Sequence, residues 1–262
     1  MKIDVITIFP EMFDGILNNS IIKRAIEKGL VSINIHDFRL YSKDKHQKVD
    51  DTTYGGGSGM LIACDPVVSC LKDIEGYEKA LKLITAPTGN VLNVKKTYEL
   101  SKLDHIIIVC GHYEGIDERI NNYVDEEISI GDYVLTGGEI PALVIIDSVV
   151  RLIPGAITEG SLIDESFTNG LLEYPQFTKP AEYDGYKVPE VLTNGNHAEI
   201  RKYRLYESLR KTYEKRKDLL IDRKLTDEEE FYLSYIKQGL SYDDFIELGV
   251  KMPKKNKRYN KQ

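Results

Sequence analysis

The five residues Ile106-Ile107-Ile108-Val109-Cys110 form an unbroken apolar run suited to a strand buried on both faces. Such a strand needs neighbours on either side and helices above and below, so it commits the surrounding chain to a layered α/β fold. The flanking sequence supplies them. Residues 3–8, 31–35, 81–85, 128–130 and 133–135 read as further strands. An apolar-periodic stretch through Met12, Phe13, Ile16, Ile21, Ile22 and Ala25 reads as a helix stopping at Gly29. Asp65-Pro66 reads as an N-cap with proline at the first helical position, opening a helix to about residue 74. Asn93 caps the next helix, and 141–153 is an apolar one. Alternating strands and helices predict a mostly parallel sheet over residues 1–160.

Beyond Pro154-Gly155 the pattern changes. Pro175, Pro180 and Pro189, with Gly160, Gly170, Gly185 and Gly195, punctuate a stretch without periodicity, so 161–195 is expected to be a flexible linker. Three capped helices then predict a small all-helical domain over 196–262. Asn196 precedes Glu199, Thr226 precedes Glu229 and Ser241 precedes Asp244 at capping-box spacing, and Gly249 is a stop. The full length of 262 residues, at about 150 per domain, suits this division.

The chain carries 35 basic and 42 acidic side chains, a net charge of −7, which argues against a generic nucleic-acid binder. The charge is unevenly placed. Residues 1–160 hold 16 basic and 24 acidic groups, whereas 161–262 hold 19 and 18. Residues 201–217 alone carry eight basic and two acidic side chains, and 251–261 add six more basic ones. Tyr203, Tyr206, Tyr213 and Tyr259 are interleaved with them. Two readings follow: a surface that grips phosphates and stacks on bases, or a solvated helix with tyrosines packed inward. The three cysteines form no CxxC pair, no run of 18 apolar residues occurs, and no signal-peptide core follows Met1, so a cytoplasmic chain is expected.

Several glycine-rich turns stand where ligands bind in open parallel sheets, beyond the carboxyl ends of strands. They are Thr85-Ala86-Pro87-Thr88-Gly89, Gly111-His112-Tyr113-Glu114-Gly115 and Thr136-Gly137-Gly138-Glu139. Their backbone groups suit an adenine edge, and the absence of clustered lysines argues against a triphosphate. The loop Asp50-Asp51-Thr52-Thr53-Tyr54-Gly55-Gly56-Gly57-Ser58-Gly59-Met60 is neither a P-loop nor a dinucleotide fingerprint. The five histidines show no HExxH spacing and no GxSxG elbow is present, which leaves acid–base chemistry without a covalent intermediate.

Five ordered blocks carry a resemblance. They are the glycine loop from Asp50 to Met60, Gly111-His112-Tyr113-Glu114-Gly115-Ile116-Asp117-Glu118-Arg119, and Ser129-Ile130-Gly131-Asp132-Tyr133-Val134-Leu135-Thr136-Gly137-Gly138-Glu139. Gly170-Leu171-Leu172-Glu173-Tyr174-Pro175 and Gly195-Asn196-His197-Ala198-Glu199-Ile200 complete them. Together they closely resemble the bacterial tRNA (guanine-N1)-methyltransferases of the SPOUT class, which methylate guanosine 37. The resemblance implies an α/β domain with a C-terminal trefoil knot, a homodimer with a shared active site, and tRNA as partner, with neither DNA nor membrane. It implies S-adenosylmethionine held by Thr85, Ala86, Pro87, Gly111, Tyr113, Gly115, Ile130, Gly131, Asp132, Tyr133, Val134, Leu135, Gly137 and Gly138. Glu114 would lie near the sulfonium and Arg151 would assist the chemistry. The general base falls at Glu165 when anchored on Ser166-Phe167, with Asp164 as the alternative. Lys45, His46, Asp50, Gly55, Gly56, Gly57, Gly59, Asn194, Arg201 and Arg204 would contact RNA. Mg2+ is allowed for without a dedicated metal cage. Two alternatives remain: an RNA-binding module that has lost its cofactor, or a methyltransferase of the same fold with another RNA target.

Overall fold

The computed structural model describes residues 1–57, 59–158 and 165–250. The chain divides into two compact units, Met1–Glu159 and Gly160–Gln262. In the first, strands numbered in chain order are β1 (Lys2–Thr7), β2 (Ser32–Asp37), the short hairpin β3 (Asp50–Asp51) and β4 (Leu61–Ile62), β5 (Leu81–Val91), β6 (His105–Cys110) and β7 (Glu126–Ser129). Five of them form one sheet in the order β2-β1-β6-β5-β7, every neighbour parallel. The apolar run at 106–110 is the middle strand, buried on both faces as its composition requires.

Helices α1 (Asp14–Leu17), α2 (Ser20–Glu27), α3 (Cys64–Asp73), α4 (Val94–Leu100) and α5 (Glu139–Val150) cover the sheet. Strand alternation sorts the core into two layers. Ile3, Val5, Ile106 and Ile108 pack with Ala25 of α2, Leu100 of α4 and Ile145 and Val149 of α5. Ile6, Ile107 and Val109 pack with Val67, Cys70 and Leu71 of α3.

Four local expectations are corrected. The helix over 12–25 is interrupted: a 3-10 turn at Pro10–Phe13 leads into α1, and α2 begins only after Asn19. Asp65 is not an N-cap, because α3 starts at Cys64 behind Ala63 without a side-chain cap. Pro66 still lies in the first turn, where an amide proton has no helical partner to lose. Strand β5 does not end at Thr85. Residues 86–89 loop out, and the chain returns so that Asn90 pairs with Ile128, the residue Thr85 also pairs. Gly89 packs on the backbone of Glu127 and Ile128, where a side chain would collide. Residues 133–135 form no strand; their Tyr133 and Val134 side chains are exposed. Asn93 does cap α4, accepting a hydrogen bond from the Lys96 amide at 3.0 Å.

In the second unit, Asp184 and Gly185 both adopt positive φ and join β8 (Glu182–Tyr183) to β9 (Tyr186–Lys187) in a hairpin. Helices α6 (His197–Lys215), α7 (Asp227–Ile236) and α8 (Tyr242–Glu247) follow. Asn196 accepts from the Glu199 amide, while Thr226 with Glu229 and Ser241 with Asp244 form complete capping boxes. An aromatic cluster joins the three helices: Tyr206 is fully buried against Tyr232, Tyr242 and Phe245. No helix among the described residues is long and apolar enough to cross a membrane.

One buried charge stands in the sheet. Asp4 is 1% exposed, and its carboxylate meets His36 Nε2 at 2.7 Å, His105 Nε2 at 2.6 Å, Asn34 Nδ2 at 3.0 Å and Lys2 Nζ at 3.2 Å. Burial pushes its pKa up, but the hydrogen bonds from His36, Asn34, His105 and Lys2 outweigh burial and hold it well below the usual carboxylate range. A carboxyl that titrates lower folded than unfolded contributes its full stability above about pH 4 and loses it as the pH falls further. Asp4→Asn is therefore expected to cost roughly 3 kcal/mol at pH 7 and less at pH 3, read by urea unfolding at both. An equal cost at the two pH values would contradict this account.

Candidate active site

At the carboxyl ends of β5, β6 and β7 the chain opens into a cavity of ≈ 780 Å³, counted with its mouth. Its walls come from the 85–87 turn, the 111–116 loop and the 128–138 segment. The loops are fixed to one another by backbone groups. Gly138 N–H donates to the Gly111 carbonyl at 2.7 Å, and His112 bridges Gly137 in an antiparallel pair. A side chain on Gly138 would collide with the Thr85 hydroxyl and the Gly111 amide. One on Gly137 would run into the Glu139 carboxylate and the His112 ring. Tyr113 takes a left-handed φ of 60°, which turns the chain tightly before Gly115.

Of the residues expected around a cofactor, Thr85, Ala86, Pro87, Gly111, Tyr113, Gly115, Ile130, Gly131, Tyr133, Val134, Leu135, Gly137 and Gly138 line this cavity; Asp132 is exposed and does not. Glu114 lines it too, and Gly59 of the glycine loop packs directly on the Glu114 side chain. The Glu114 amide donates to the Met60 carbonyl at 3.3 Å and the Ile62 amide to Gly115 at 3.0 Å, which ties that loop to the cavity wall. His112, Ile116, Ile128, Ser129, Thr136 and Pro141 also line the cavity. All but Ile128 and Pro141 stand inside the five blocks of resemblance, so the signal is present at their positions.

Arg151 ends α5 and is half-buried. Glu165 is half-buried in the second unit, where the tight turn after it is pinned to α6 through Leu172 N–H to Thr212 Oγ1 at 2.9 Å. Asp164, Ser58 and the basic tail with Tyr259 lie outside the described residues. Lys45 and His46 are exposed, as are Gly55, Gly56 and Gly57, and Asp50 belongs to β3. Asn194 accepts the Asn196 amide at 2.8 Å. Arg204 lies over the Tyr174 ring at 4.6 Å.

The basic stretch at 201–217 is less free than its sequence implies. Arg201 forms two hydrogen bonds to Glu228, of 3.1 and 2.8 Å; Lys202 pairs with Glu199, Arg210 with Glu207 and Glu214, and Arg216 with Asp218. Glu228 is held below its ordinary pKa chiefly by the Arg201 hydrogen bond. Tyr203 and Tyr206 are buried in the helical core, so base stacking by these two is overturned and inward packing is the correct reading. Burial pushes both phenols up to about 12.

None of the three cysteines is placed as a nucleophile of this cavity. Cys110 is completely buried beneath the cavity, and burial together with the Glu139 charge pushes its thiol well up. Among the described residues no three His, Cys, Asp or Glu side chains are grouped to hold a metal.

Comparison with known proteins decides the kinship. The family model described as tRNA (Guanine-1)-methyltransferase TrmD matches residues 1–222. The chain belongs to this methyltransferase family. A tRNA (guanine-N(1)-)-methyltransferase of Ruminiclostridium cellulolyticum is 58% identical over 223 residues, covering 84% of this chain and 96% of the relative. Proteins of the same name from Acholeplasma laidlawii and Staphylococcus aureus are 54% and 50% identical, each covering 92% of this chain and 99% of their own length. The TrmD match thus spans the whole cavity and the segment carrying Glu165. Gly138→Ala is expected to lower methyl transfer at least ~100-fold, because the ligand loops can no longer close. Its stability should fall by only about 1–3 kcal/mol. A methyl-transfer assay beside urea unfolding checks both, and near-normal activity would show that the close approach is dispensable.

Proposed function

We propose that this chain transfers a methyl group from S-adenosylmethionine to N1 of guanosine 37 in tRNA. The observation that carries the reading is the convergence of three glycine-bearing loops on one cavity at the strand ends, in a chain of this family. The cavity fits the cofactor in kind. It offers backbone groups for an adenine edge, glycines whose missing Cβ lets the loops approach one another, and the Glu114 carboxylate for a cation. Bound there, S-adenosylmethionine supplies an electrophilic methyl group. Thr85, Gly111, Gly115, Ile130, Tyr133, Leu135, Gly137 and Gly138 would hold it.

N1 of guanine carries a proton and is a poor nucleophile until that proton leaves. A carboxylate, Glu165 or the alternative Asp164, takes the proton, and the Arg151 guanidinium stabilises the negative charge that grows on O6. Arg204, Asn194 and the exposed Lys45 and His46 are the groups we assign to RNA. Arg201 would have to exchange Glu228 for a phosphate. We also infer a homodimer, supported by exposed Ile140 and Val144 on α5 and by the apolar Val134 of the cavity rim. The trefoil knot and a cytoplasmic location rest on the family alone.

Single-turnover assays test the chemistry. Arg151→Ala and one of Glu165→Ala or Asp164→Ala are expected to slow methyl transfer by about 10²–10⁴ with cofactor affinity kept. Unchanged rates in both carboxylate variants would sink the base assignment. A tRNA with adenosine at position 37 should accept no methyl group; methylation of that tRNA would favour the reading of another RNA target.

A further inference from the structure

Beneath the cavity lies a carboxylate that this chemistry leaves unused. Glu139 opens α5 and is 1% exposed. Its Oε1 accepts the Thr7 hydroxyl at 2.7 Å, and the same hydroxyl oxygen accepts the Phe9 amide at 2.9 Å. The Phe9 amide turns the Thr7 proton toward Glu139, which favours an acceptor carboxylate there. The N-terminal end of a twelve-residue helix favours the anion as well. Its Oε2 faces His112 Nδ1 at 3.7 Å, too long for a hydrogen bond, and that nitrogen is buried without a partner. Among the described residues, no lysine or arginine pairs with Glu139.

The Gly137 backbone touches both this carboxylate and the cavity. A Cβ on Gly137 would overlap the carboxylate, and Gly137 itself lines the wall. Glu139 thus sets a carboxylate, shielded from water, beneath a ligand site. A charge in that setting acts on a ligand's charge far more strongly than a solvated one does. The two states of a methyl donor differ in that respect: the sulfonium is a cation before transfer, and the thioether product is neutral.

We propose that Glu139 is a buried countercharge through which the cavity distinguishes the cationic methyl donor from its neutral thioether product. The inference rests on the reading of this cavity as the S-adenosylmethionine site. Glu139 touches neither reactant; it sets the field at the cavity floor and so favours both entry of the donor and departure of the product. The Thr7 and Phe9 hydrogen bonds keep the charge in place, and Gly137 permits its approach.

Calorimetry on the full chain, with S-adenosylmethionine and S-adenosylhomocysteine titrated separately, reads the ratio of their Kd values. Glu139→Gln is expected to lower the preference for the cation about tenfold relative to wild type. Glu139→Asp, which keeps the charge, should leave that preference within about twofold. A charge shielded from water is little screened by salt, so the wild-type preference should also hold within about twofold between roughly 0.05 and 0.5 M salt; this measurement carries the test if Glu139→Gln does not fold, and a preference lost in high salt would overturn the proposal. Equal weakening of both ligands would mean that Glu139 merely holds the loops, and would overturn the proposal, as would a lost preference in Glu139→Asp. Wild-type protein that binds neither ligand would instead remove the cofactor reading, and this inference with it.

Discussion

The hydrogen bond from the Gly138 amide to the Gly111 carbonyl, 2.7 Å long, is the constraint on which the cavity depends. It brings the end of the central strand against the start of α5, and it tolerates no side chain at Gly138. Everything around it follows from that approach. Residues 111–115 must turn sharply, so Tyr113 and Gly115 take positive φ; 137–138 must lie flat, so both are glycines. The sheet beneath supplies rigidity, because β6 is buried on both faces and hydrogen-bonded to β1 and β5. A ligand site assembled from backbone in this way is held in shape before any ligand arrives.

Much of this frame is legible in sequence because it is written in composition. An apolar run at 106–110 has one stable use, and Asn93, Thr226 and Ser241 announce helix starts by chemistry that needs no tertiary context. The misread parts depend on distant partners. The excursion at 86–89 is set by Gly89 against the backbone of β7, almost 40 positions away in sequence. Tyr133, Val134 and Leu135 look like strand residues because they are apolar, yet they rim a cavity. The Asp184-Gly185 turn was readable from its dipeptide, but the surrounding prolines and glycines masked it.

The candidate site was legible in the same uneven way. Its glycines stand out because close backbone approach and positive φ at strand ends favour them. The contacts linking Thr7, His112 and Glu139 span 132 positions between the first and the last, and no local pattern connects them. The tyrosines of α6 illustrate the opposite failure. Their spacing fits a stacking face or a core face equally, and only the burial of Tyr206 against α7 and α8 separates the two.

The ion pairs of α6 bear on how a polyanion would meet that helix. Arg201, Lys202, Arg210 and Arg216 already have carboxylate partners supplied by Glu228, Glu199, Glu207, Glu214 and Asp218. To bind a phosphate, each must give up a carboxylate that then returns to water, so the exchange is nearly even. Fewer ions are set free from the nucleic acid's atmosphere than a count of basic residues suggests, and association should depend on ionic strength less steeply than that count predicts. Recognition of a nucleic acid by such a surface would then rest on shape more than on charge, in a chain whose net charge is −7.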